Sequence, residues 1–325
     1  MSTSQNTLTT VAIADRFHAE ALASLKTNPA LNIVPFDDAS RPELQALIVR
    51  SKTKINDAFL ATVPRLKALV TATVGFDHID IKACTARGMR IAHCPDSHTA
   101  ATAEHTFALV LACARKIPDL NIAVHEGDWT RDRHVGVELS GKTYGVIGLG
   151  RIGSRVARIA QGFGMKVVAF DPYRDDSYFE ERGATRVGLD ELFHLANVIS
   201  AHVPKTPETH HMIHCYRLGL LHADSILVNT SRGGVIKEED LITHLRQKKH
   251  GRFGLDVFET EPLARDSGLL EWPQVIVSPH VGAHTAEAFR AVSYEAAQNL
   301  ISLLKDTAPT GPLPPPEEWY SAIRP

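Results

Sequence analysis

Three residues that can act together on a small organic acid each follow an apolar run in the second half of the sequence. Arg232 follows Ile-Leu-Val-Asn-Thr-Ser, Glu261 follows Asp-Val-Phe-Glu-Thr, and His280 follows Val-Ile-Val-Ser-Pro. Arginine holds carboxylate and carbonyl oxygens with a fixed fork of donors. Histidine takes or gives a proton near neutral pH, and a carboxylate on its second nitrogen fixes the tautomer and favours the protonated form. Oxidation of a 2-hydroxy acid needs such a set, because the hydroxyl loses a proton as a hydride leaves.

Each of these residues also has an ordinary structural explanation when it is taken alone. Arg232 could be a surface residue, Glu261 could be a turn residue before proline, and His280 could cap the helix that follows it. The three together, each near the end of a strand in one α/β domain, favour a site, because α/β proteins place ligands at the carboxyl ends of their strands.

A glycine-rich string indicates what else this domain binds. Gly145-Val-Ile-Gly148-Leu-Gly150-Arg151-Ile152-Gly153 lies between a predicted strand, Thr143 to Ile147, and a predicted helix, Ile152 to Phe163. Glycines at this spacing let the backbone turn tightly and approach a pyrophosphate, which the N–H groups at the helix N-terminus then bind. The next strand, Val167 to Phe170, leads to Asp171, whose carboxylate suits ribose hydroxyls. The order of these elements predicts a Rossmann dinucleotide site.

Asp171 also predicts NAD rather than NADP, because a carboxylate at that position repels a 2′-phosphate. Arg174 could attract such a phosphate, although a solvated surface arginine is the simpler interpretation.

Composition limits the class of protein. The 44% hydrophobic and 22% charged content is that of a globular protein, and the net charge of -2 argues against a nucleic-acid surface. The 17 histidines do not follow a metal-ligand spacing, so no metal is expected. The four cysteines show no paired spacing, which favours a reducing compartment. Without a leader-like or membrane-spanning pattern, a cytoplasmic location is expected.

Strand and helix patterns alternate from Thr10 to Cys94 and again from Thr143 to Pro279, which predicts an α/β fold with parallel sheets. The 325 residues exceed one ordinary core. We therefore predict two Rossmann-like, doubly wound domains: a discontinuous substrate domain, residues 1–98 plus 286–325, and an NAD-binding domain, residues 99–285. Crossing points near Ser97 and Ala283 would act as hinges. The proline-rich tail, residues 307–325, is expected to be an arm or a disordered end.

The segment Thr102 to Arg115 is predicted to be a helix with apolar residues on nearly every side. Such a helix is buried on most sides and could lie between two domains or two subunits. We expect a homodimer that forms through this region.

These strings resemble the D-isomer-specific 2-hydroxyacid dehydrogenase family, in order and spacing, from Leu47 to about Ala296. The resemblance implies that Arg232, Glu261 and His280 are the catalytic set, and that Asp256 lies near the nicotinamide carboxamide. It also implies that backbone N–H groups in the string Val74-Gly75-Phe76-Asp77 meet the substrate carboxylate. The cofactor-binding residues expected from the motif and the resemblance are Gly148, Gly150, Arg151, Ile152, Gly153, Asp171, His202, Pro204, Thr209, Thr230, Arg232, Asp256, His280 and Gly282.

The identity of the acid stays open. The string Val49-Arg50-Ser51-Lys52-Thr53-Lys54 is similar to substrate loops of phosphoglycerate and erythronate-phosphate dehydrogenases, and its cations could meet a phosphate, although a charged edge loop explains them nearly as well. The length fits hydroxypyruvate and glyoxylate reductases equally. The expected substrate-binding residues are Arg50, Ser51, Val74, Gly75, Arg232 and His280. Formate dehydrogenases have glutamine where this chain has Glu261, and an NAD(H)-sensing corepressor-like protein with little turnover is the alternative outside the enzymes.

Overall fold

The structure is a computed structural model that describes residues 8–129, 131, 134–248 and 250–313. The chain divides into two compact units. One contains the residues up to His98 together with those from His284 onward, and the other contains Thr99–Ala283. Each unit is built on a mostly parallel sheet with helices, which confirms the predicted fold class.

The first unit has a six-stranded sheet with the order β13-β5-β4-β3-β1-β2. Its strands are β1 (Thr9–Ile13), β2 (Leu31–Ile33), β3 (Ala46–Val49), β4 (Ala68–Thr71), β5 (Arg90–Ala92) and β13 (Pro312–Leu313). Its helices are α1 (Ala19–Lys26), α2 (Asp57–Thr62), α3 (Ile81–Ala86) and α11 (Ala286–Leu304). Every residue of β3 and β4 is buried, as expected for parallel strands covered on both faces.

Local polar residues set the helix boundaries of this unit. The Asn56 side chain accepts from the N–H of Phe59 at the start of α2, and Asp80 does the same for Ala83 at the start of α3. Helix α11 starts after Thr285, which caps it through Ala288, and buries Val292, Ala296 and Leu300 in the same core as β1, β3 and β4.

The chain beyond α11 differs in part from the expected free tail. Pro312–Leu313 pairs with β5 as an antiparallel strand, and the N–H of His93 donates to the carbonyl of Gly311. A Cβ at Gly311 would lie 2.6 Å from the carbonyl oxygen of His93. Glycine therefore permits the close approach of the two segments. The remaining tail, residues 314–325, lies outside the described residues.

The second unit has a seven-stranded parallel sheet with the order β12-β11-β10-β9-β6-β7-β8. Its strands are β6 (Thr143–Ile147), β7 (Lys166–Phe170), β8 (Thr185–Arg186), β9 (Val198–Ala201), β10 (Ile226–Asn229), β11 (Arg252–Leu255) and β12 (Val275–Val277). Its helices are α4 (Thr99–Arg115), α5 (Ile117–His125), α6 (Arg151–Gly162), α7 (Asp176–Glu180), α8 (Leu189–Leu195), α9 (Cys215–Gly219) and α10 (Glu238–Lys248). Strand order reverses between β6 and β9, the kind of position where open α/β sheets bind ligands.

The apolar helix α4 finds its partners inside the second unit. It packs against α6, β10 and β11, and Phe107 stacks on Tyr144 and Phe163 with ring centroids 5.5 and 5.4 Å apart. Its apolar pattern is therefore explained by the core of its own unit and does not require a second subunit. Several exposed apolar side chains lie instead on α5 and in the segment after it.

Two composition-based expectations can be compared with the structure. All four cysteines are free, and Cys84, Cys94 and Cys113 are buried. Among the helices of the described residues, none combines the length and apolar character that a bilayer crossing requires.

Candidate functional site

The three predicted catalytic residues follow three neighbouring strands of the second unit. Arg232 lies three residues after β10, Glu261 lies in the segment after β11, and His280 lies three residues after β12. These strands are adjacent and parallel, so their carboxyl ends meet at one edge of the sheet. A cavity of about 760 Å³ in this unit is lined by residues that precede strands, such as Lys142, Asn197 and Asp224, and therefore lies at the opposite edge.

His280 and Glu261 form a direct pair. The Nδ1 atom of His280 lies 2.7 Å from Oε2 of Glu261, and the N–H of Phe258 donates to Oε1 of Glu261 at 3.1 Å. Burial alone would raise the pKa of Glu261, but the hydrogen bonds from His280 and Phe258 and the nearby charges of His280 and Arg232 outweigh it, so the pKa is lowered. Glu261 therefore stays ionised at neutral pH and directs Nε2 of His280 away from itself.

The backbone of His280 is left-handed, with φ at 53°, a conformation that costs energy for a non-glycine residue. Two short contacts hold it, because the N–H of His280 lies 2.8 Å from the Asp256 carbonyl and 3.0 Å from that of Ser278. The surrounding loop thus imposes the conformation that presents the imidazole.

Asp256 fixes that loop with its buried carboxylate. Oδ1 accepts from the Ser278 hydroxyl at 2.6 Å and from the N–H of Val281 at 2.9 Å, and Oδ2 accepts from the N–H of Gly282 at 2.8 Å. Nε2 of His105, on α4, lies 3.3 Å from Oδ1. Burial opposes ionisation, but these donors outweigh it and lower the pKa of Asp256. Its predicted contact with the cofactor stays a prediction; what the structure shows is that it joins α4, β11 and the loop of His280.

The Arg232 loop packs directly on the chain that leads to Glu261. A Cβ at Gly233 would lie 1.9 Å from the carbonyl carbon and oxygen of Phe258, so only glycine permits this approach. The Asn229 side chain accepts from Ser231 and donates to the Arg232 carbonyl at 2.8 Å. The guanidinium of Arg232 donates to the Ser231 carbonyl at 2.7 Å, and its charge reaches Glu261.

The glycine string forms the turn that the sequence predicts. Gly148 has a φ of 89°, and a Cβ at Gly153 would lie 2.0 Å from the Gly148 carbonyl oxygen. A Cβ at Gly150 would meet nothing within 4 Å, so the space at the N-terminus of α6 is open. Arg151 and Ile152 begin that helix. A tight backbone turn that is followed by open space at a helix N-terminus fits a pyrophosphate.

Asp171 is buried at the end of β7 and braces the glycine turn. Its Oδ2 accepts from the N–H of Leu149 at 2.9 Å, and its Oδ1 accepts from the N–H of Tyr173 at 3.0 Å. Each oxygen keeps lone-pair capacity for a further donor such as a ribose hydroxyl. A cavity of about 410 Å³ lies beside it, lined by Phe170, Asp171, Pro172, Arg186, Val187, Gly188 and Glu191. These residues fit the adenosine half of a dinucleotide.

Arg174 is not fully solvated, although the sequence analysis favours a solvated surface arginine at this position. Its guanidinium carbon lies 4.6 Å from the centroid of the Tyr178 ring, and the side chain is partly buried. The stacking occupies one face of the guanidinium without neutralising its charge.

The remaining predicted cofactor residues follow β9 and β10. Nε2 of His202 lies 2.7 Å from the Ser200 hydroxyl, which accepts from Tyr144, and burial lowers the pKa of His202 far enough to keep it neutral. Thr209 donates to the Pro204 carbonyl and closes that turn. Thr230 is buried with its hydroxyl 2.8 Å from that of Thr106.

In the first unit, the predicted substrate residues occupy two turns after strands. The N–H of Arg50 donates to Asp15 at 2.6 Å, next to the exposed Ser51. The carbonyl of Val74 lies 2.8 Å from Nδ1 of His93, and that of Gly75 accepts from Thr73 at 2.6 Å. With the carbonyls held in this way, the N–H groups of Val74 and Gly75 have no acceptor within the described residues. Such N–H groups suit a carboxylate.

Sequence reasoning missed His105 and Ser278, which complete the Asp256 network. His105 is the one imidazole of α4, and its position on a helix with many buried residues was the available signal. The sequence also did not indicate that His214, Cys215 and Asp240 lie together; their ligand atoms are within 4.8 Å of one another. The ammonium of Lys237 lies 2.9 Å from Oδ1 of Asp240 and already balances that carboxylate.

Comparison with known proteins agrees with the geometry. Residues 107–282 match the sequence model described as D-isomer specific 2-hydroxyacid dehydrogenase, NAD binding domain. The chain is similar to the D-3-phosphoglycerate dehydrogenase of Synechocystis sp., with 41% identity over 81% of this chain and 47% of the relative. The enzyme of the same name from Mycobacterium tuberculosis is 40% identical over 90% of this chain and 56% of the relative. The chain thus spans about half the length of the curated relatives it matches.

Among solved structures, the chain is similar to a D-lactate dehydrogenase from Aquifex aeolicus complexed with NAD and lactic acid. The identity is 30%, the TM-score is 0.82, and the match covers 94% of this chain and 99% of that one.

The Asp256 network predicts that replacing this carboxylate displaces the loop that carries His280. Asp256→Asn should lower both the melting temperature and kcat, because an amide cannot accept all four donors and leaves buried N–H groups unpaired. The loss of stability should be about 1–3 kcal/mol for each unpaired group, measured by calorimetry. Because the folded pKa of Asp256 is depressed, wild-type stability should fall as the pH drops below the ordinary aspartate range near 3.8. The variant should show a flatter acid limb, and Asp224→Asn, at an exposed site, should match wild type. Equal melting temperatures for Asp256→Asn and wild type would contradict this role.

Proposed function

Because the chain belongs to the D-isomer specific 2-hydroxyacid dehydrogenase family, we propose that it transfers a hydride between NAD and a D-2-hydroxy acid or its 2-keto acid. The observation that carries the proposal is the 2.7 Å contact between His280 and Glu261 beside the charge of Arg232. When bound, the nicotinamide accepts or supplies the hydride. The residues of this chain handle the proton and the charge.

His280 is the proposed acid and base. Its Nδ1 is engaged by Glu261, so Nε2 is the atom that takes the hydroxyl proton during oxidation and returns it during reduction. The ionised Glu261 fixes the tautomer and the ring orientation of His280.

Arg232 is the proposed ligand of the substrate oxygens. Its loop is fixed by Asn229 and by the close approach at Gly233. The backbone that carries the guanidinium is therefore held in one position. A planar fork can hold a carboxylate and a neighbouring carbonyl oxygen together and stabilises the charge that develops on that oxygen. Arg50, Ser51 and the N–H groups of Val74 and Gly75 are proposed to bind the rest of the acid.

The substrate is proposed to be of the phosphoglycerate, glycerate/hydroxypyruvate or glyoxylate type, with an erythronate-phosphate-type acid as an alternative. A corepressor-like NAD(H) sensor with little turnover is the alternative outside the enzymes, and the paired His280 and Glu261 argue against it. The free cysteines fit a reducing compartment, so we assign the reaction to the cytoplasm.

The catalytic pair gives the decisive test. His280→Ala should lower kcat about 10²–10⁴-fold, the range for general acid–base groups, with NADH binding nearly unchanged by fluorescence titration. Glu261→Gln keeps the shape but removes the carboxylate that pairs with Nδ1 of His280, so kcat should fall while NADH binding stays nearly unchanged. His194→Ala, at an exposed histidine, is the control. Wild-type turnover by His280→Ala on the best of a panel of 2-keto acids would refute the assignment.

Cofactor choice follows from Asp171. NADH should outperform NADPH in kcat/KM, and removal of the negative charge should narrow the gap. Asp171→Asn is preferable to Asp171→Ala, because the amide oxygen can still accept one of the two backbone N–H groups that brace the glycine turn. Steady-state kinetics with both cofactors measure the ratio. Equal use of NADPH by wild type would instead favour Arg174 as a phosphate ligand.

We also propose a homodimer, formed by apolar side chains of the second unit that its own core leaves exposed. These are Ile117, Ile122, Val124, Trp129 and Val135, each more than half exposed, a set that is unusual on a monomer. Light scattering at micromolar concentration should give twice the chain mass, and Ile122→Glu should give a monomer. Leu195→Glu, at an exposed leucine of α8, should remain dimeric. A monomeric wild type would refute the proposal.

A further inference from the structure

Three different metal-ligand side chains meet in the second unit, where the start of α9 lies beside the first turn of α10. His214, Cys215 and Asp240 offer a nitrogen, a sulfur and an oxygen atom, and these atoms lie within 4.8 Å of one another. Cys215 is exposed, whereas His214 and Asp240 are partly buried. None of the three belongs to the proposed hydride-transfer site, so the cluster needs a separate explanation.

The backbone holds the two segments side by side without help from the cluster. Ile213 forms a parallel bridge with Ile236, and the N–H of Lys237 donates to the Ile213 carbonyl at 2.9 Å. Both isoleucines are buried in the same core as Leu218 of α9 and Leu241 of α10. The fold itself therefore brings the three ligand side chains together.

Asp240 is oriented within the cluster and already attracts a cation. Its Oδ2 accepts from the backbone N–H of Cys215 at 2.8 Å, and its Oδ1 lies 2.9 Å from the ammonium of Lys237. The hydrogen bond from Lys237 lowers the pKa of Asp240, and hydrogen bonds from the backbone N–H and the thiol of Cys215 act in the same direction. The carboxylate is thus ionised, with a thiol and a positive charge beside it.

We propose that His214, Cys215 and Asp240 form a binding site for a divalent transition-metal ion, Zn²⁺, which joins the start of α9 to the start of α10. Imidazole nitrogen, thiolate sulfur and carboxylate oxygen are ligands of zinc, whereas Mg²⁺ and Ca²⁺ prefer oxygen alone. The thiol gives its proton to water when its sulfur binds the ion. A water molecule takes the fourth tetrahedral position.

The geometry needs only a small adjustment to close around an ion. Zinc–ligand bonds of about 2.0–2.3 Å hold two ligands of one ion about 3.5 Å apart, so side-chain movements of about 1 Å are sufficient. Oδ1 of Asp240 is the oxygen that binds the ion, since the backbone N–H of Cys215 can keep its hydrogen bond to Oδ2. The side chain of Lys237 is 36% exposed, so its ammonium can turn into water when the ion takes its place.

The competing explanation is an ordinary surface ion pair between Lys237 and Asp240, with His214 and Cys215 beside it and no affinity for metal. The two explanations differ in what happens when the ammonium is removed. For an ion pair alone, Lys237→Met loses a little stability and gains nothing. For a metal site, the same variant loses a competitor and binds Zn²⁺ more tightly.

The first measurement identifies the ligands with Co²⁺ and needs no turnover. Co²⁺ can replace zinc in tetrahedral sites, and a thiolate bound to it gives a charge-transfer band in the near ultraviolet. The wild-type chain with one equivalent of Co²⁺ should show this band, and one equivalent of Zn²⁺ should remove it. The other three cysteines are buried, and Cys215→Ser should abolish the band. His214→Ala should lose most of it, whereas His194→Ala, at an exposed histidine outside the cluster, should keep it.

The second measurement is the Kd for Zn²⁺, obtained by competition with a chromogenic chelator. Asp240→Asn should weaken binding by about 10-fold or more, because even a residue that only orients a ligand costs that much when it is lost. Lys237→Met should strengthen binding by about 5-fold, the effect of removing an exposed ion pair that competes with the metal. Lys166→Met, at an exposed lysine of the same unit, should match wild type.

Each measurement can overturn the site by itself. No cobalt band in the wild-type chain, or a band of equal intensity in Cys215→Ser, would show that the thiol binds no metal. A Kd for Lys237→Met equal to or weaker than that of wild type would show that the ammonium does not occupy the position of the ion. The metal-free Cys215→Ser chain should keep the wild-type kcat, so the result for the metal is independent of the proposed dehydrogenase function.

Discussion

The ionised carboxylate of Asp256 organises the carboxyl edge of the sheet in the second unit, where His280 lies. It is buried, and it remains charged because Ser278, Val281, Gly282 and His105 surround it with donors. A buried charge without such donors would be unstable, so the loop after β12 and helix α4 are held to it together. This constraint keeps His280 in a left-handed backbone conformation that its own residue type disfavours, and that conformation presents Nδ1 to Glu261.

The second unit assembles its site by close backbone contact rather than by long side chains. Gly233 lets the Arg232 loop pack on Phe258, and Gly153 lets α6 pack on the glycine turn. Asp171 then ties the same turn to the end of β7. The contacts of Gly233 and Asp171 each join two loops that follow neighbouring strands, β10 with β11 and β6 with β7. The glycine turn and the pair of His280 and Glu261 thus lie at the same edge of the sheet.

The sequence predicted the site better than it predicted the surroundings that support it. Arg232, Glu261 and His280 could be found because each follows an apolar strand of the right length, and the glycine string has a spacing with one physical use. His105 and Ser278 could not be recognised, because their role depends on which face of α4 turns towards β11, a tertiary fact. The short strand Pro312–Leu313 was also missed, since its pairing depends on an edge formed by β5 more than 200 residues earlier. The expected dimer through the region of α4 stays a prediction, because an apolar helix indicates that it has packing partners and does not identify them.

The placement of α11 determines the order in which the chain can become compact during synthesis. The sheet of β1 to β5 is complete in sequence by Ala92, yet the helix that covers it, with Val292, Ala296 and Leu300 in the core, is made only after all of the second unit. The first unit therefore leaves the ribosome as a sheet with one apolar face still open to water. The second unit is one continuous stretch of sequence and can fold before the first unit is complete. Nascent chains that end before residue 286 should thus contain a folded second unit and a first-unit sheet whose exposed apolar face binds chaperones.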